Sequence, residues 1–178
     1  MRLDQKYFIP FIIVCTLLGA MLITISTYYF QKSKENKFLK RIQQTESLDR
    51  YKLPLEFSDD SLQISQFKDK YVVLNFWASW SDFSSQMHVS LNELSQKYPG
   101  KLAIIAASVR DGKEQVDEYR RNNNFSFQFV EGTALYDSLE IPGVPANIIF
   151  NPNSQVIDVQ VGYQDSLQVN EALRGLRQ

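Results

Sequence analysis

The sequence predicts an α/β domain, a central mixed sheet flanked by helices, preceded by one N-terminal transmembrane helix. Three observations carry this. Residues 7–30 contain no charged side chain. Behind them, apolar stretches of strand type alternate with segments of helical periodicity, which implies βαβ units and a parallel sheet. Two late strands joined by a tight turn then add an antiparallel edge.

The 24 residues from 7 to 30 would span about 36 Å as a helix, enough for a bilayer core of about 30 Å with some tilt. Tyr7, Tyr28 and Tyr29 stand near the ends of the run, where amphipathic rings favour the membrane interface. Pro10 is placed in the first turn, where a missing N–H costs little. The run is long for a signal peptide, and no small-x-small cleavage site follows. Residues 1–6 are read as a short tail. Residues 31–50, with Lys32, Lys34, Lys37, Lys40 and Arg41, are read as a juxtamembrane stalk, a solvated charged linker.

The globular pattern begins near residue 51 and runs to 178. Residues 71–77 (YVVLNFW) read as a buried strand. A helix follows, with Phe83, Met87, Leu91, Leu94 and Tyr98 on one face, and Pro99-Gly100 stops it. Residues 102–107 (LAIIAA) form a second strand, and 113–122 a second helix. Phe125, Phe127 and Phe129 alternate with polar residues, as in a half-buried strand. A short helix covers 134–139. Residues 147–150 and 155–161 are strands joined by Asn151-Pro152-Asn153-Ser154. Val169, Leu173 and Leu176 mark a last amphipathic helix.

Composition removes several function classes. The chain has 178 residues, with Lys+Arg 19 against Asp+Glu 20 and a formal net charge of -1. No concentrated basic surface is present for nucleic acid. Hydrophobic content of 44% and charged content of 22% exclude global disorder. The only cysteine, Cys15, lies inside the apolar run, and the only histidine is His88. An intramolecular disulfide and a multi-cysteine or multi-histidine metal site are therefore excluded. No metal and no cofactor is expected.

The stretch VVLNFWASW at 72–80, leaving a strand and entering a helix, resembles the TlpA/ResA-type thioredoxin-like proteins. So does the segment from Tyr136 to Pro145, in which Pro145 aligns with a cis-proline that faces the active site. The strand, turn and strand-to-glycine over 147–162 resemble that family as well. The resemblance covers about residues 53–178. It implies a thioredoxin-like fold and a membrane-tethered thiol–disulfide oxidoreductase outside the cytoplasm.

The departure is at the chemistry. Both cysteines of the family's Cys-x-x-Cys are serines here, Ser81 and Ser84. A thiolate attacks a disulfide sulfur through a mixed disulfide, and a serine hydroxyl forms no such intermediate. The family's following Glu and Pro are replaced by Met87 and Val89. No catalytic residue is assigned. Ser81 and Asp82 are read as capping the helix. His88, too far along the helix to act as base for Ser81, is read as a surface histidine. Trp77 is read as core.

What outlives the cysteines is a surface. In the family, the backbone of the residue before the cis-proline pairs with an extended substrate segment, a β-augmentation that needs no sulfur. Here that residue is Val144. The expected partner-binding groove comprises Trp80, Ser81, Phe83, Val144 and Pro145, and the expected partner is a protein or extended peptide. The competing readings are a thiol–disulfide oxidoreductase by homology and a structural spacer in a membrane complex. A binding module should leave an apolar patch around Trp80 and Phe83 uncovered. Loop charges place the domain on the cytoplasmic side and the resemblance places it outside the cytoplasm; the extracytoplasmic side is the expectation.

Overall fold

The computed structural model describes residues 5–45 and 48–177. Most of the tail expected over 1–6 lies outside these residues. Two compact units make up the chain, residues 1–36 and residues 37–178.

The first unit is the leading part of helix α1 (Gln5–Gln44). This helix is long and apolar enough to cross a membrane. Its threonine hydroxyls are satisfied within the helix: Thr16 donates to the Ile13 carbonyl at 2.8 Å, Thr24 to Ala20 at 2.8 Å and Thr27 to Ile23 at 2.6 Å. Such bonds make polar side chains tolerable without water. Because the helix starts at Gln5, Pro10 stands in its second turn and not in its first.

In the second unit a five-stranded sheet has the order β5-β4-β3-β6-β7. Its members are β3 (Tyr71–Trp77), β4 (Leu102–Ser108), β5 (Gln128–Glu131), β6 (Ala146–Phe150) and β7 (Val156–Val161), and a small ribbon of β1 (Leu53–Pro54) and β2 (Ser61–Leu62) precedes it. Strands β3, β4 and β5 are parallel; β6 runs antiparallel to β3, and β7 antiparallel to β6. Helices α2 (Asp82–Lys97), α3 (Lys113–Asn122), α4 (Thr133–Ser138) and α5 (Ser166–Ala172) complete the unit. The chain is thus a thioredoxin-like α/β fold with a mixed sheet.

The two-residue period of β3 builds two cores at once. Val72, Leu74 and Phe76 enter one apolar cluster. Val73 and Trp77 enter the other, with Met87, Leu91 and Leu94 of α2 and Val169 of α5. The alternation expected over Phe125–Phe129 holds in burial, but strand pairing begins only at Gln128. A turn in which Phe125 N–H donates to the Asn123 carbonyl at 3.0 Å holds the preceding residues away from β4.

The solvated linker expected over 31–50 is corrected from residue 38 onward. Phe38, Ile42 and Leu48 are buried in the first cluster, and Leu39 packs against it. The basic side chains around them concealed a short helical stripe at positions 38, 39 and 42. Arg41 fixes the same turn: its guanidinium donates to the Leu139 carbonyl at 3.0 Å and pairs with Glu140 at 2.8 Å. A core role for the end of α1 predicts that Ile42→Ala destabilises the domain by about 2–4 kcal/mol, the usual range for such a deletion. Exposed Lys40→Ala should change it by less than about 0.5 kcal/mol. Urea unfolding of the full chain in detergent, followed by tryptophan fluorescence, measures both.

Candidate functional site

Strand β3 ends at Trp77, and five residues later α2 begins. The turn between them is held by side chains. Ser81 is the N-cap of α2, and its hydroxyl accepts from Ser84 N–H at 3.3 Å. The Ser84 hydroxyl accepts from Ala78 N–H at 3.3 Å. Asp111, between β4 and α3, accepts from Ser79 N–H at 2.7 Å and from the Ser79 hydroxyl at 2.9 Å. Both motif serines are buried, and their oxygens satisfy the backbone. Among the described residues neither hydroxyl bonds a carboxylate or an imidazole, so neither has a base to activate it. The capping role expected of Ser81 is what its geometry shows.

His88 corrects the sequence reading. It is fully buried, because the inward stripe of α2 runs through Ser84, Met87, His88, Leu91 and Leu94. Phe83, expected to head that stripe, is 60% exposed instead. His88 Nδ1 lies 2.8 Å from the Tyr119 hydroxyl and Nε2 3.0 Å from Asn75 Oδ1. Burial lowers its pKa to about 3, so the ring is neutral. Since Asn75 Oδ1 can only accept, Nε2 carries the hydrogen and Nδ1 accepts from Tyr119. Burial pushes the Tyr119 phenol up to about 12, which keeps it a donor.

From His88 a row of amides crosses the sheet. Asn75 donates to Asn147 Oδ1 at 2.8 Å, Asn147 to Gln160 Oε1 at 3.2 Å, and Gln160 to the Asp158 carboxylate at 3.3 Å. Asn75, Asn147 and Gln160 sit opposite one another on β3, β6 and β7. Every bond from Tyr119 to Asp158 points the same way and ends on a negative charge, an arrangement in which hydrogen bonds reinforce one another. The sequence held a signal for this row: Asn75, an amide inside an apolar strand, demands a buried partner.

The outer face of the turn is apolar. Trp80 is 68% exposed, whereas Trp77 is fully buried as expected. The Phe83 ring stacks on Tyr163, centroids 6.5 Å apart and planes 30° from parallel. Tyr163 was not among the residues expected. It follows Gly162, whose φ of 87° suits glycine, and Gly162 N–H donates to the Pro145 carbonyl at 2.8 Å. The Val144–Pro145 peptide is cis, Val144 is half-buried and Pro145 buried. Among the described residues, no backbone hydrogen bond engages Val144.

A family model described as thioredoxin-like matches residues 69–156. The chain is 25% identical over 166 residues to the thiol-disulfide oxidoreductase ResA of Bacillus thuringiensis subsp. konkukian, covering 92% of each. It is 23% identical over 120 residues to the thioredoxin-like protein YneN of Bacillus subtilis, covering 65% of this chain and 71% of YneN. Among solved structures, a DsbF homologue from Corynebacterium diphtheriae superposes with a TM-score of 0.63 at 18% identity, over 70% of this chain and 83% of that one.

The neutral, buried His88 has a consequence for pH. Its folded pKa lies below the ordinary 6.5, so the unfolded chain binds the extra proton. Stability is then full above about pH 6.5 and falls as pH drops toward 3. The slope is up to about 1.4 kcal/mol per pH unit. Between pH 7 and pH 5 the wild-type chain should lose about 2 kcal/mol more than a His88→Gln variant. Urea midpoints at the two pH values test this, and equal losses would place the proton elsewhere.

Proposed function

We propose that the chain, which is similar to thiol-disulfide oxidoreductases of the ResA type, is a membrane-anchored protein-binding module, not a thiol–disulfide exchange enzyme. One observation carries the reading. Two large apolar side chains, Trp80 and Phe83, are mostly exposed; Phe83 stacks on Tyr163, whose neighbour Gly162 bonds the Pro145 carbonyl, and among the described residues no backbone hydrogen bond engages Val144. A spacer has no need of such a face. A binding groove does, because an extended segment can add main-chain hydrogen bonds at Val144 while its side chains rest on the rings.

The chemistry of positions 81 and 84 supports the loss of exchange. A hydroxyl carries no redox couple at these potentials, and both hydroxyls already serve the turn. Cys15 lies in α1, outside the domain that bears the groove. The helix from Phe8 onward serves as the anchor, and the family type supports an extracytoplasmic domain. The segment received is protein or extended peptide; its length and sequence would be set by the groove of Trp80, Ser81, Phe83, Val144, Pro145 and Tyr163.

A thiol placed at the first motif position tests the reading. In a Ser81→Cys, Cys15→Ser chain expressed in its own membrane, a docked cysteine-containing partner is held as a mixed disulfide, since no second thiol is present to resolve it. The expected result is one discrete adduct that disappears when Trp80→Ala is added. No adduct under oxidising conditions that trap a two-cysteine relative would point to a spacer or to a partner without thiols. In parallel, the wild-type chain should show no insulin-disulfide reduction above the dithiothreitol background.

A further inference from the structure

Around the groove, the charges are unequally compensated. Arg110, on the loop after β4, pairs with Asp137 at 2.8 Å. Arg41 pairs with Glu140 at 2.8 Å. Asp82, consecutive with Phe83 at the start of α2, is exposed and makes no ion pair or side-chain hydrogen bond among the described residues. Its neighbour Phe83 is stacked on Tyr163, with 60% and 39% of the two residues exposed. An exposed carboxylate therefore stands one residue ahead of a ring of the stacked pair.

We infer that the segment received beside Val144 carries a lysine or arginine, whose charged end meets Asp82 and whose methylene stem lies on the Phe83–Tyr163 rings. This rests on the groove reading given above and adds its chemical preference. Ring faces attract cations, and the long stems of Lys and Arg cover apolar surface while their heads stay in water. An acidic segment would meet a like charge at Asp82. A wholly apolar one would draw water from a carboxylate and give it no partner. Asp82 also complements the positive end of α2, a role that consumes none of its hydrogen-bonding capacity among the described residues.

The test uses the full chain in nanodiscs and three fluorescein-labelled heptapeptides of alternating threonine and valine, with lysine, norleucine or glutamate at the centre. Fluorescence anisotropy measures each affinity. The lysine peptide should bind on the order of tenfold more tightly than the norleucine peptide, and the glutamate peptide most weakly. In Asp82→Asn the lysine-to-norleucine ratio should fall to about twofold or less, and Asp82→Lys should favour glutamate over lysine. Phe83→Leu, which keeps apolar bulk without a ring face, should lower the same ratio independently of Asp82. Equal binding of all three peptides, or an unchanged ratio in both Asp82→Asn and Phe83→Leu, overturns the cationic preference while leaving the groove reading in place. No binding of any peptide removes the groove reading and the preference with it.

Discussion

The turn between β3 and α2 is held by four hydrogen bonds from three side chains, and the exposed face exists because of them. Ser84 reaches back to Ala78, Ser81 caps the helix, and Asp111 grips both the N–H and the hydroxyl of Ser79. With the backbone satisfied on the inside, Trp80 has no inward position to take and stands in solvent. Phe83 follows one helical step behind and meets Tyr163 from the other end of the sheet. Serine suits both motif positions because each needs a small acceptor for an N–H, which a hydroxyl supplies better than a thiol does. Both serines are thus structurally employed.

Beneath the turn, an apolar core is interrupted by one polar row. Tyr119, His88, Asn75, Asn147, Gln160 and Asp158 pass hydrogen bonds in a single direction. Such a row is tolerable in a low-dielectric interior only when every member is paired. It also locks register: β3, β6 and β7 meet with Asn75, Asn147 and Gln160 in line, and a slip of one residue would bury three unpaired amides. The aromatic rings of Trp77, Phe127 and Phe129 close around His88 and keep water, and therefore the proton, out.

Much of the fold was legible. Tyr71–Trp77 and Leu102–Ser108 carry so dense a run of β-branched and small apolar residues that no helical reading competes, and the Asn-Pro-Asn-Ser turn declares the β6–β7 hairpin. The site was legible where local chemistry decides: a serine before a helix caps it, and Trp80 at a turn has little to pack against. It was not legible where tertiary packing decides. His88 and Phe83 are separated by five positions on one helix, and only the sheet beneath determines which of them turns inward. The stripe at Phe38, Leu39 and Ile42 was hidden because five basic residues dominate the same stretch. Tyr163 was missed because its ring contact lies eighty positions away from Phe83.

The way the end of α1 enters the first apolar cluster bears on how the domain could be released from a bilayer. Phe38 and Ile42 belong to the same apolar cluster as Leu74 and Ile148. A protease cutting ahead of residue 37 would shed a fragment that keeps the apolar clusters of the second unit whole. A cut three turns later would remove both side chains and the Arg41 pair with Glu140, and the freed fragment would carry an open apolar flank. The position of cleavage, within about three turns of helix, would separate a fragment with a closed core from one with an open apolar flank.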